Sequence, residues 1–107
     1  MAELTERGKR VGLRLPLDVS GLDEAGSPFA DSAASVNISG GGLCFETRRA
    51  LGVGSRVTLH IQLPPSLRKH FGDRPVYRAR ALVCRIEPAT SVGVSRVGVR
   101  FLGEVEA

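Results

Sequence analysis

The stretch Val36-Asn37-Ile38-Ser39-Gly40-Gly41-Gly42-Leu43-Cys44-Phe45 constrains the fold more than any other part of the chain. Apolar residues alternate with small polar ones up to a run of three glycines, and alternation resumes after it. Val36 and Ile38 read as the end of one strand, and Leu43 and Phe45 as the start of the next. Three glycines permit positive φ and let another body approach the backbone closely. Two readings of the corner stay open. In one, Asn37 and Ser39 cap their own turn, as short polar side chains commonly do. In the other, the turn cradles a planar ligand that the same two side chains hydrogen-bond.

The rest of the chain repeats the period of two. Residues 11, 13, 15, 17 and 19 are Val, Leu, Leu, Leu and Val, which predicts a half-buried strand. Pro16 would make it an edge strand or mark a bulge. Residues 20–32 carry turn chemistry. A second strand is expected from near Phe29 or Ala33 to Ile38, and a third over residues 43–47. The clearest strand is 57–63, with Val57, Leu59, Ile61 and Leu63 inward and Thr58, His60 and Gln62 outward. Pro64 and Pro65 stop it. One short helical turn is expected within residues 64–75. A mixed, arginine-rich strand follows over 76–86. The last strand, 94–102, puts Val97, Val99 and Phe101 on one face, with Gly98 and Arg100 on the other. Six short strands without a long helical pattern point to a small β-barrel or sandwich, and closure would remove its edges.

The chain has 107 residues, one domain by length. No apolar run approaches the ~20 residues of a membrane span. The polar start, Met1 to Arg7, has no hydrophobic leader segment, so a cytoplasmic location and no membrane insertion are expected. Cys44 and Cys84 then read as two buried, reduced thiols. His60 and His70 share no metal-ligand spacing with either cysteine. Gly52-Val53-Gly54 lacks the ending of a phosphate-binding loop. There is no nucleophile–base signature and no carboxylate cluster, so a binding module is expected and not an enzyme. No cofactor or metal is called for.

The basic residues are 13 Arg and 2 Lys, with a formal net charge of +4. Arginine's planar fork suits phosphate and the Hoogsteen edge of guanine. A coding bias that replaces Lys throughout would give the same composition. Arg10 and Arg14 form an R-x-x-x-R pair at the entry to the first strand. Arg74/Arg78 and Arg96/Arg100 repeat the spacing, so spacing alone does not single out the first pair. Its position does, because it joins a polar, mobile arm over residues 1–9 to a rigid strand.

Arg10 and Arg14, followed in order by N-x-S-x-x-G at Asn37, Ser39 and Gly42, resemble the PilZ domain, the bacterial receptor for the second messenger cyclic di-GMP. Gly54 before the clearest strand and Val97-Gly98-Val99-Arg100-Phe101 near the end add to the likeness. It spans roughly residues 7–103. The resemblance implies an all-β fold, a small six-stranded antiparallel barrel over residues 10–103. Little or no C-terminal helix would follow it, only a tail over 104–107. It implies that Arg10 and Arg14 grip phosphate and guanine, that Asn37 and Ser39 hydrogen-bond guanine, and that Gly42 leaves the base room. Lys9, Gly98 and Arg100 are further candidate contacts. The implied function is a cyclic di-GMP receptor or adaptor that signals to an effector protein. The alternative is a degenerate PilZ-like interaction module that binds no nucleotide. A polynucleotide is disfavoured, because Tyr77 and four Phe are the only stacking platforms.

Overall fold

Period-two alternation becomes six antiparallel strands in the computed structural model, which describes residues 12–105. They are β1 (Pro16–Leu22), β2 (Pro28–Ser39), β3 (Gly42–Thr47), β4 (Arg56–Gln62), β5 (Val76–Pro88) and β6 (Ser95–Glu104). They close in the order β1-β2-β3-β6-β5-β4, so each is paired on both sides. The expected arm over residues 1–9, Lys9 and Arg10 lie outside the described residues, as do residues 106–107.

The inward positions fill the barrel. Val57, Leu59, Ile61 and Leu63 are buried as their spacing predicts, against Leu17, Val19, Ile38, Leu43, Phe45, Val83, Val97 and Val99. Burying each such side chain contributes about 1.5–3 kcal/mol. The single helical turn expected between β4 and β5 is α1 (Pro65–Arg68), continued by a 3-10 turn over Lys69–Phe71. Pro65 suits the first helical position, where no N–H is needed. Leu67 and Phe71 are buried; Phe101 meets the Phe71 and Tyr77 rings edge to face at 6.4 and 5.4 Å, and Phe71 and Tyr77 pack tilted at 4.8 Å. Among the described residues no helix is long and apolar enough to cross a membrane.

Two features of the first strand differ from expectation. Regular pairing starts at Pro16, not at residue 11, and β1 lies between β2 and β4 rather than at an edge. A proline lacks the N–H for a ladder bond, so it sits at the first position of β1. Ahead of it the alternation persists, with Leu15 buried and Leu13 half-buried against the core. There the ladder is replaced by bonds to one residue of β2, Ser35.

Two of the three register shifts in the barrel decide which side chains face outward near the hairpin corner; the third leaves Leu102 of β6 as an extra residue opposite Arg80 and Ala81. In β2 the register shifts between Ser35 and Asn37. Phe29 and Ser35 are buried on one parity and Ile38 on the other, so the extra residue turns Asn37 to the outer face. In β5 the register shifts between Val83 and Arg85. Ala79, Ala81 and Val83 are buried, Cys84 is the extra residue, and Arg85 emerges exposed. This breaks the alternation of β5 and corrects the expectation of two buried thiols. Cys44 is 2 % exposed, whereas Cys84 stands out at the bulge. In a thiol titration of the native protein, one cysteine should react at once and the second only on unfolding. Equal reaction rates for both would refute this placement.

Candidate functional site

The hairpin corner brings its two halves together through Ser39↔Gly42, Ile38↔Leu43 and Asn37↔Cys44. Gly42 faces another body, and that body is the barrel itself. A Cβ there would sit 2.1 Å from the Val99 carbonyl oxygen and 3.2 Å from the Arg100 Cα. Glycine is therefore needed for β3 and β6 to pair, and its φ is not in the left-handed region. The Ser39 side chain is folded into its own turn. Its Oγ accepts from the Gly41 N–H at 3.3 Å and donates to the Gly42 carbonyl at 3.4 Å. Ser39 is 2 % exposed, while Asn37 is half-buried at the outer face. At Ser39 the self-capping reading of the turn is therefore realised.

Register extends this corner into rows across the sheet. Asn37 pairs with Cys44, Cys44 with Gly98, and Gly98 with Arg85. Ser39 pairs with Gly42, Gly42 with Arg100, and Arg100 with Leu82. Adjacent strands are about 4.8 Å apart, so each row spans roughly 14 Å. The Arg85 side chain lies over Gly98, 3.7 Å from where a Cβ would stand, and its only described ion contact is Glu87 at 3.7 Å. Arg100 is exposed beside Gly42. Gly98 and Arg100 thus border the corner. Arg85 borders it too, but sequence reasoning missed it, because only the bulge at Cys84 brings it to this face.

Arg14 is the other half. It is exposed and sits between Leu13 and Leu15, both tied to Ser35. The Leu15 N–H donates to Ser35 Oγ at 2.8 Å, and the Ser35 N–H donates to the Leu15 carbonyl at 3.0 Å. Ser35 Oγ in turn donates to the Leu13 carbonyl. Ser35 is fully buried. One hydroxyl therefore clamps both neighbours of Arg14 beside the bulge that presents Asn37. A buried serine within Ala33-Ala34-Ser35-Val36 carries no sequence signal, and only its bonds reveal it. Ser35→Ala would orphan the Leu15 donor and remove the Leu13 acceptor's partner. It should cost about 1–3 kcal/mol in urea unfolding. A loss under ~0.5 kcal/mol would show that the clip does not hold this segment.

In each of the other two R-x-x-x-R pairs the first arginine is engaged by a carboxylate. Arg74 is paired with Glu104, and Arg96 with Glu46 at 3.1 Å. Arg14 has no carboxylate partner among the described residues. A groove of about 780 Å³ lies at the other end of the β2–β3 pair, lined by Asp31, Glu46, Arg48 and Arg49 among others. Its main charges are already matched: Arg49 Nε and Nη2 donate to the two Asp31 oxygens at 2.9 and 2.7 Å, and its guanidinium lies 5.0 Å over the Phe29 ring. The hydrogen bonds from Arg49 hold the Asp31 carboxyl below the usual range. This ion pair therefore stabilises the fold above the ordinary carboxylate pKa and fades as pH falls through the lowered one. None of the expected site residues that the structure describes lines this groove.

The structure is a small closed six-stranded antiparallel barrel with a polar, arginine-bordered stretch on its outer face. The PilZ domain family model matches residues 5–106, and the chain belongs to that family. Three solved structures share the fold. The motility inhibitor MotI/DgrA of Bacillus subtilis is 19 % identical with a TM-score of 0.64, over 90 % of this chain and 41 % of that one. The PilZ domain of YcgR from Escherichia coli, solved with c-di-GMP, is 16 % identical with a TM-score of 0.59, over 91 % and 77 %. The PilZ domain of CeSA from a cellulose-synthesizing bacterium is 16 % identical with a TM-score of 0.53, over 86 % and 78 %. The chain thus spans less than half the length of the MotI chain. No curated protein matches it in sequence.

Proposed function

We propose that this chain is a bacterial, cytoplasmic cyclic di-GMP receptor that binds the dinucleotide on the outer face of β2, β3 and β6 and passes the signal to an effector protein. The observation that carries this reading is the Ser35 clip, which fixes the root of Arg14 beside the bulge presenting Asn37. A guanidinium with no carboxylate partner among the described residues, next to an amide, suits a phosphate and a base edge. Membership of the PilZ family and the YcgR structure with c-di-GMP support the choice of ligand.

Each sequence-derived residue has a role in this proposal. Arg10 and Arg14 take the phosphates and the guanine edge, with Lys9 adding charge. Asn37 hydrogen-bonds the base. The Ser39 hydroxyl does the same after a rotation that costs little, because both of its present bonds are long, 3.3 and 3.4 Å. Gly42 keeps the floor flat. Gly98 leaves room below Arg85, and Arg100 closes the far side. No step is catalytic. Calorimetric titration of the whole chain with cyclic di-GMP should give saturable binding that cyclic di-AMP does not reproduce. Absence of binding would leave the interaction module that needs no nucleotide.

A further inference from the structure

The outer face of β4 and β5 carries charge that the candidate nucleotide site does not use. Register aligns His60 with Arg78, Thr58 with Arg80, and Arg56 with Leu82, all on the outward parity. Leu82 in turn pairs with Arg100 on β6. Among the described residues no carboxylate lies within ion-pair distance of Arg56, Arg78 or Arg80. By contrast Arg49, Arg74 and Arg96 each hold one. A stripe of guanidiniums with no ion pair among the described residues, on a rigid, twice-paired sheet, suits an anionic partner.

We propose that this face docks an acidic segment of a partner protein, held by Arg56, Arg78 and Arg80 around a half-buried Leu82. The surroundings separate the classes of anion. Nucleic acid held without sequence preference needs aromatic platforms, and Phe29, Phe45 and Phe71 are buried while Tyr77 and Phe101 pack on Phe71. A membrane surface needs apolar bodies that reach past the charges, and the one apolar side chain of this row, Leu82, is half-buried and paired with Arg56 and Arg100. A protein surface needs an apolar centre with an arginine-rich, lysine-poor border, which this face has. The spacing also fits. Arg78 and Arg80 are two residues apart on one strand, about 6.7 Å, and an extended acidic segment presents a carboxylate at the same interval. Bidentate guanidinium–carboxylate pairing then fixes its register. The face stands whether or not the nucleotide binds.

The test uses the whole chain and three probes: a fluorescein-labelled eight-residue peptide alternating glutamate and valine, vesicles of phosphatidylglycerol and phosphatidylcholine at one to three, and a twelve-nucleotide oligothymidylate. The peptide should bind best. Arg78→Gln/Arg80→Gln should raise its dissociation constant at least about fivefold, while Arg48→Gln, at an exposed arginine on the opposite end, should leave it unchanged. Arg80→Gln alone, at an exposed position, replaces the double variant if that variant melts early. Cyclic di-GMP titration of the same variants should match the parent, so loss of docking and loss of the nucleotide site read out separately. Tighter binding to vesicles or oligothymidylate, no peptide binding, or equal loss in the Arg48 variant would each overturn the proposal.

Discussion

Arg14→Ala should weaken cyclic di-GMP binding at least about tenfold and leave the melting temperature nearly unchanged. A charge-assisted hydrogen bond to phosphate contributes roughly 1.5–3 kcal/mol, and each 1.4 kcal/mol is a factor of ten in affinity. Arg14 is exposed, and its neighbours are held through their backbones by Ser35, so the fold does not depend on its side chain. Exposed substitutions of this kind shift stability by under ~0.5 kcal/mol. Arg10→Ala should parallel it, since both belong to one motif. Arg74→Ala is the contrast. That residue is engaged by Glu104, so its removal costs at most about 1 kcal/mol of stability and should spare binding. Calorimetry and thermal melts on the parent and these variants decide the matter. If Arg74→Ala loses affinity and Arg14→Ala keeps it, the site lies elsewhere on the barrel.

Gly42→Ala should be among the most destabilising single substitutions in the chain, costing about 3 kcal/mol or more. The added methyl would sit 2.1 Å from the Val99 carbonyl oxygen. That atom is backbone in a ladder paired on both sides, so relief requires β3 and β6 to separate along their whole register. Overpacking a core with flexible side chains costs 1–3 kcal/mol, and here the obstacle cannot rotate away. At 4–8 °C per kcal/mol for a domain of this size, the melting temperature should fall by roughly 12 °C or more. Gly103→Ala on β6 supplies the comparison, since nothing lies within 4 Å of its Cβ position and its φ is not left-handed. It should be neutral or slightly stabilising. Equal unfolding midpoints for the two variants would contradict the close approach.

The expected role of Gly42, room for a base, and its observed role, room for β6, are compatible, but the second is already enough to require a glycine. The candidate site was legible in part for the same reason. Arg14, Asn37, Ser39 and Gly42 carry types and spacing that chemistry can read along the chain. Ser35 and Arg85 do not, because their contribution depends on residues distant in sequence. Ser35 acts through Leu13 and Leu15, and Arg85 through Gly98 across the β5–β6 pair.

By itself the sequence determined the strand count, the buried faces of β3, β4 and most of β6, and the turn chemistry between them. All of these follow from local periodicity and from the fixed φ of proline and the missing Cβ of glycine. Tertiary structure decided closure, the start of β1 at Pro16, and the outward turn of Asn37 and Arg85. A bulge is an extra residue counted against a partner strand, so it has no meaning until the partner is known. One such residue reverses the face of everything after it, which is how two insertions place a polar amide and a guanidinium on the same outer surface.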